Sequence, residues 1–218
     1  MIKAVIFDLD GLLVDSEPLW FRARSELFQR FNLVWTDDDQ ERLMGVSTSF
    51  WIEYMSEKLQ RKISSKVIEE GILNKMVSYY HAGDVTLMPG AQNALEFCYS
   101  RYKLGLASGS PRKLIEAALT GANWSRYFAE VLSSDEVAKG KPAPDVYFEV
   151  IRRLGIPASE TVVVEDSGSG VLAGHTAGTK VVAVPDEHLK PSPDTVDKAH
   201  VVIDSLVSFD SALIGIDE

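Results

Sequence analysis

Apolar residues fall into short runs separated by segments of helical period. The runs are "KAVIF" (3–7), "KLGLAS" (103–108), "EVLS" (130–133), "TVVVE" (161–165), "KVVAV" (180–184) and "HVVI" (200–203). Most are apolar at nearly every position rather than at alternate ones, the pattern of strands covered by helices on both faces. Between them lie "PRKLIEAALTGA" (111–122), "DVYFEVIRRLG" (145–155) and "GVLAGHTAG" (170–178), which read as helices ending at glycine. "LMPG" (87–90) turns the chain into a further helix over 91–100. Strands alternating with helices predict an α/β fold with a doubly wound parallel sheet.

Residues 16 to 84 break this rhythm. Trp20, Ala23, Leu27 and Phe31 mark one helical face, and Thr36 with Asp39 resembles the capping box of the next helix. Trp51, Tyr54, Met55 and Leu59 form a second stripe, and Ile68, Ile72 and Met76 a third. No strand pattern occurs there. The expectation is a small helical module, 16–84, inserted into a core built from 1–15 and 85–218, with linkers near 13–17 and 82–88.

Composition narrows the partners. With 45% hydrophobic residues in 218, the chain can bury a sizeable core, and its net charge of −10 argues against nucleic acid or an anionic membrane surface. A small anionic substrate stays compatible if the site supplies local positive charge. No apolar stretch reaches the roughly 18 residues of a membrane span, and Asp8 and Asp10 interrupt the N-terminal apolar run, so no signal peptide is expected. Cys98 is the single cysteine. It permits no intrachain disulfide and reads as a small core residue. A cytoplasmic, monomeric protein is expected.

Four segments carry candidate chemistry. In "AVIFDLDGLLVDS" (4–16) a buried strand runs into Asp8 and Asp10, whose i, i+2 spacing puts both carboxylates on one face of an extended chain. Carboxylates at a strand end cost free energy unless paired, metal-bound or solvated, and ligands of open α/β sheets bind at the carboxyl ends of strands. Gly11 allows the tight turn that follows. "LASGS" (106–110) opens onto a helix, where it suits either an anion on free N–H groups or a plain helix cap. "GKPAPD" (140–145) supplies Lys141, and "VVVEDS" (162–167) ends a second buried strand in Glu165 and Asp166. Each has a bland explanation alone. Together they supply the groups of phosphoryl transfer: nucleophilic and proton-shuttling carboxylates, hydroxyl, lysine and acidic metal ligands.

This set, with the opening "FDLDGLLVDSEPLW", resembles the haloacid dehalogenase superfamily and its sugar-phosphatase and β-phosphoglucomutase-like branch. The resemblance implies a Rossmann-like core with strand order 5-4-1-2-3 and a helical cap at 16–84. It implies that Asp8 is the nucleophile, Asp10 the general acid/base, Ser108 a phosphate ligand and Lys141 its brace. Mg²⁺ would be held by Asp8, the Asp10 carbonyl and Asp166, with Glu165 ligating directly or through water. Gly11, Gly109 and Ser110 would adjoin the phosphate, and Glu17, Trp20, Gly45, Ser47, Thr48 and Trp51 would face the rest of the substrate. The implied activity is Mg²⁺-dependent hydrolysis of small phosphomonoesters such as hexose 6-phosphates, through an aspartyl-phosphate. A β-phosphoglucomutase-like mutase is the alternative, against which Trp20 stands where mutases carry histidine and Thr48 where they carry arginine. A non-catalytic phosphate-binding domain is a third reading, and the presence of Asp10 argues against a dehalogenase.

Overall fold

A computed structural model describes residues 1–44, 46, 48–185 and 197–209. In chain order the elements begin with β1 (Ala4–Phe7), β2 (Val14–Asp15), α1 (Glu17–Gln29), α2 (Asp37–Leu43), α3 (Thr48–Lys58) and α4 (Ser65–His81). They continue with β3 (Thr86–Leu87), α5 (Ala91–Tyr99), β4 (Lys103–Ser108), α6 (Arg112–Gly121) and β5 (Glu130–Ser133). The last are α7 (Asp145–Leu154), β6 (Thr161–Glu165), α8 (Gly168–Thr176), β7 (Lys180–Ala183) and β8 (Val201–Val202). Met1–Asp15 with Val85–Glu218 make one compact unit and Ser16–Asp84 a second.

In the first unit six strands form a parallel sheet in the order β5-β4-β1-β6-β7-β8. Its first five core strands follow the order that the resemblance implies, and β8 extends the edge beside β7. The all-apolar strand pattern has the expected cause. Ala4 and Ile6 of β1, Val163 of β6 and Val181 of β7 pack with Val146, Tyr147, Val150 and Leu154 of α7 and Val171 and Ala173 of α8. Phe7 alternates to the other face, where its ring lies 6.0 Å from Phe209. Each fully buried Val, Ile or Leu side chain contributes about 1.5–3 kcal/mol relative to exposure. Gly105 interrupts β4 because α7 comes close: a Cβ there would stand 2.7 Å from Val150 Cγ1.

Sequence and structure part in three places. β2 and β3 pair antiparallel, Val14 with Leu87 and Asp15 with Thr86, within segments read as plain linkers. Helix α6 does not close on glycine: Gly121 is its last residue, and the left-handed residue is Asn123 at φ 58°. Glycine does serve at Gly155 and Gly178, whose φ values are 69° and 77°. The third difference is the face of α1, where Leu19, Ala23, Arg24 and Phe28 are buried, while Leu27 is only half-buried and Phe31 lies beyond the helix. Arg24 is inside because its guanidinium lies 4.9 Å from the Trp20 ring centre and 5.9 Å from that of Trp35, and donates to Gln40 Oε1 at 3.0 Å. Burial pulls its pKa down to about 10, against the opposing charge of Glu17.

In the second unit Trp51, Met55 and Leu59, and Ile68, Ile72 and Met76, are buried as their stripes require, while Tyr54 is half-buried and donates to Asp39 Oδ1 at 2.6 Å. Thr36 caps α2 in a full capping box: its hydroxyl accepts from Asp39 N at 3.2 Å, and Asp39 Oδ2 accepts from Thr36 N at 2.9 Å. Burial works against the Asp39 charge, but hydrogen bonds from Lys58, Tyr54 and Thr36 outweigh it and hold the carboxyl well below the usual range. Thr36→Ala is therefore expected to cost about 1 kcal/mol in urea unfolding. A depressed native pKa stabilises the fold above the unfolded value, about 3.9, and that stabilisation is lost as pH falls through the native value. The difference in melting temperature between wild type and Asp39→Asn should therefore shrink as pH drops below about 4. A difference that stays constant from pH 7 to pH 3 would count against the ionised capping box.

Candidate active site

Strand register assembles the site. Phe7 of β1 is level with Leu106 of β4 and Val164 of β6, so the chain leaves all three strands at one edge of the sheet. Asp8 follows directly and its N–H still donates to Val164 O at 3.1 Å. Gly11, at φ 81°, then turns the chain, and its N–H donates to Val14 O at 2.9 Å. The position admits no side chain, because a Cβ would collide with the Asp166 carboxylate.

Lys141, in the loop between β5 and α7, reaches this edge and uses all three ammonium protons. They go to Asp8 Oδ1 at 2.6 Å, Glu165 Oε1 at 2.5 Å and Ala107 O at 2.9 Å. A solvated surface charge is excluded. Burial works against the lysine's charge, but Asp8 and Glu165 outweigh it and raise its pKa well above the ordinary value. Burial pushes Asp8 up to about 7, with Lys141 opposing and Glu165 and Asp10 reinforcing. Burial, then Glu165 and Asp8, push Asp166 well above the usual carboxylate range.

Asp10 is held by hydroxyls from the end of β4. Ser110 Oγ donates to Asp10 Oδ2 at 2.8 Å and Ser108 Oγ to the same oxygen at 3.2 Å. Ser108 Oγ in turn accepts from Ser110 N at 3.0 Å. The plain helix-cap reading of "LASGS" does not hold, since the N-cap of α6 is Pro111, without a side-chain cap bond. Gly109 is exposed between the two serines.

Three buried carboxylates, Asp8, Glu165 and Asp166, offer oxygens that all lie within 4.8 Å of one another. Lys141 is the cation bonded within that cluster, so negative charge is in excess, and hard oxygen donors suit a divalent cation such as Mg²⁺, Ca²⁺ or Mn²⁺. The residues fit a metal site. Asp10 is outside that carboxylate cluster.

Sequence reasoning did not find Tyr147, Ser133 or Ser167. Tyr147 OH donates to Glu165 Oε1 at 2.7 Å, Ser133 Oγ donates to Ser110 O at 2.7 Å, and Ser167 donates twice to Glu165 Oε2. The available signal was a phenol on the buried face of α7. Of the substrate-facing candidates, Glu17, Trp20, Thr48 and Trp51 lie in the second unit, where the Trp20 and Trp51 rings are 6.1 Å apart. Gly45 and Ser47 lie outside the described residues. Cys98 is buried, and burial pushes its thiol up to about 12, which makes it an inert core residue.

An acidic cluster with a buried lysine thus stands at the carboxyl edge of a parallel α/β sheet. The model of the haloacid dehalogenase-like hydrolases matches residues 5–184, and the chain belongs to that family. A Thermotoga maritima protein named phosphorylated carbohydrates phosphatase is 34% identical over 81% of this chain and 82% of its own. Hexitol phosphatase B of Escherichia coli O157:H7 is 29% identical over 94% and 93%. A Thermotoga maritima crystal structure, provisionally assigned as a beta-phosphoglucomutase, superposes with a TM-score of 0.80 at 30% identity, covering 99% of this chain and 98% of its own. Among the described residues no helix is long and apolar enough to cross a membrane.

Proposed function

We propose that the protein is a Mg²⁺-dependent phosphatase of small phosphomonoesters, sugar phosphates such as hexose 6-phosphates among them. The observation that carries this reading is Asp8 pinned by Lys141 beside Asp10 and two further acids at one sheet edge. Asp8 attacks phosphorus, the bond from phosphorus to the sugar oxygen breaks, and Asp10 gives its proton to that oxygen. Water then attacks the aspartyl-phosphate while Asp10 takes a proton from it, releasing phosphate and restoring Asp8. A bound Mg²⁺, held by Asp8, the Asp10 carbonyl and Asp166, would neutralise charge on the transferring group. Lys141 supplies the remaining fixed positive charge, and Ser108, Ser110 and the N–H groups around Gly11 and Gly109 orient the phosphate. Glu17, Trp20, Gly45, Ser47, Thr48 and Trp51 would select the rest of the substrate. The chemistry calls for a soluble phosphorylated metabolite rather than nucleic acid, and we take the protein to be cytoplasmic and monomeric.

The second reading, a phosphomutase, is favoured by the 30% identity to the provisionally assigned beta-phosphoglucomutase. Against it stand Trp20, Met44 and Thr48, none of which offers the fixed charge that would grip a second phosphate. Purified protein should release inorganic phosphate from hexose 6-phosphates and interconvert the 1- and 6-phosphates only in traces. Rapid conversion of β-glucose 1-phosphate to glucose 6-phosphate without comparable phosphate release would establish the mutase instead. Within the phosphatase, Asp10→Ala should lower kcat by roughly 10²- to 10⁴-fold, the range of a positioned general acid/base. Near wild-type turnover in a folded Asp10→Ala protein would remove Asp10 from the mechanism.

A further inference from the structure

Glu165 is the most enclosed acid of the cluster, fully buried, whereas Asp8 and Asp166 each keep 5% exposure. Its bonding explains why. Oε1 accepts from Lys141 Nζ at 2.5 Å and from Tyr147 OH at 2.7 Å. Oε2 accepts from the Ser167 N–H at 3.2 Å and the Ser167 hydroxyl at 3.0 Å. An ionised carboxylate has about four lone-pair sites, and all are taken. Helix α8 closes the remaining side, since a Cβ on Gly170 would overlap the Glu165 carboxylate. Tyr147 is itself buried on α7, and the Lys141 ammonium lies 5.1 Å from the centre of its ring. One side chain thus holds Glu165 by its hydroxyl and backs Lys141 by its face.

We propose that Tyr147 is a positioning residue: with Ser167 it saturates Glu165, making that carboxylate the fixed counter-charge that aims Lys141 at Asp8, outside the inner coordination sphere of the metal. For Glu165 to ligate directly it would have to surrender a bond from Lys141, Tyr147 or Ser167. Loss of a buried bond to a charged group is costly. Glu165 therefore acts on Asp8 through Lys141, and Asp166 is the ligand that β6 supplies.

Three measurements on the full chain test this, and only the first rests on the phosphatase reading. Tyr147→Phe keeps the ring and removes one donor. It should lower kcat for p-nitrophenyl phosphate about tenfold, the lower end for an outer partner of a metal site, with KM within twofold. The Lys141 side-chain NH₃⁺ resonance should be protected from water exchange in wild type by its three bonds and should broaden in Tyr147→Phe. In Mg²⁺ calorimetry without substrate, Tyr147→Phe should bind as wild type and Glu165→Gln within about tenfold, whereas Asp166→Asn should not bind measurably. A Tyr147→Phe protein with unchanged kcat and an unchanged Lys141 resonance would overturn the positioning role. Loss of Mg²⁺ binding in Glu165→Gln equal to that in Asp166→Asn would overturn the placement of Glu165. If wild type releases no phosphate from any monoester, the phosphatase reading fails, and the resonance and calorimetry still decide the proposal. If Tyr147→Phe misfolds by circular dichroism, the Glu165→Gln calorimetry decides it.

Discussion

Asp8→Asn should reduce phosphate release to background, a loss on the order of 10⁵-fold or more, as expected when a covalent nucleophile is removed from a site that works as a unit. An amide of the same shape cannot form the acyl phosphate, so no second route is left through Asp10, which lacks the Lys141 contact that Asp8 has. The fold should survive. Burial pushes the Asp8 carboxyl up to about 7, which means the folded protein disfavours its charge, and a neutral isostere relieves repulsion from Glu165 and Asp10. Without divalent metal, the melting temperature of the variant should equal or exceed that of wild type. Steady-state phosphate release with Mg²⁺ and a thermal melt after chelation check the two halves. Retained turnover in a folded Asp8→Asn protein would place the nucleophile elsewhere.

The features legible in the sequence were those written in local pattern. Apolar strands such as "TVVVE" announce burial on both faces, and Thr36 with Asp39 announces a cap, because each signal lies within a few residues. The segments that end in Asp8, Ser108 and Glu165 were readable as strand ends, and parallel register brings them together. Failures came where long-range packing decides. Arg24 is inside α1's buried face because two indoles and Gln40 surround it, which no helical period reveals. β2 and β3 are two residues each, too short for alternation to show. "LASGS" could be read locally as a helix cap, whereas its Ser110 hydroxyl turns to Asp10, a residue 100 positions away. Tyr147 was counted only as helix, since its hydroxyl acquires a partner only when α7 packs onto the sheet beside β4 and β5.

Removal of divalent metal should have an effect comparable to loss of the nucleophile. Asp8, Glu165 and Asp166 bring three carboxylates to within 4.8 Å with Lys141 bonded to two of them, and a phosphate monoester adds further negative charge. Exhaustive chelation should therefore abolish turnover, and Mg²⁺ should restore it. Ca²⁺ should not, because it takes 6–8 oxygen ligands at about 2.3–2.6 Å where Mg²⁺ takes six at about 2.0–2.1 Å. The longer bonds would displace Asp8 from the phosphorus it must reach, so Ca²⁺ should compete with Mg²⁺ as an inhibitor. A metal that binds the folded chain also stabilises it, by about 2.7 kcal/mol at a hundredfold excess over Kd. The melting temperature should thus rise with Mg²⁺ in wild type and stay flat in Asp166→Asn. Full activity after chelation, or a Mg²⁺-dependent rise in the melting temperature of Asp166→Asn equal to that of wild type, would mean that this cluster is not the metal site.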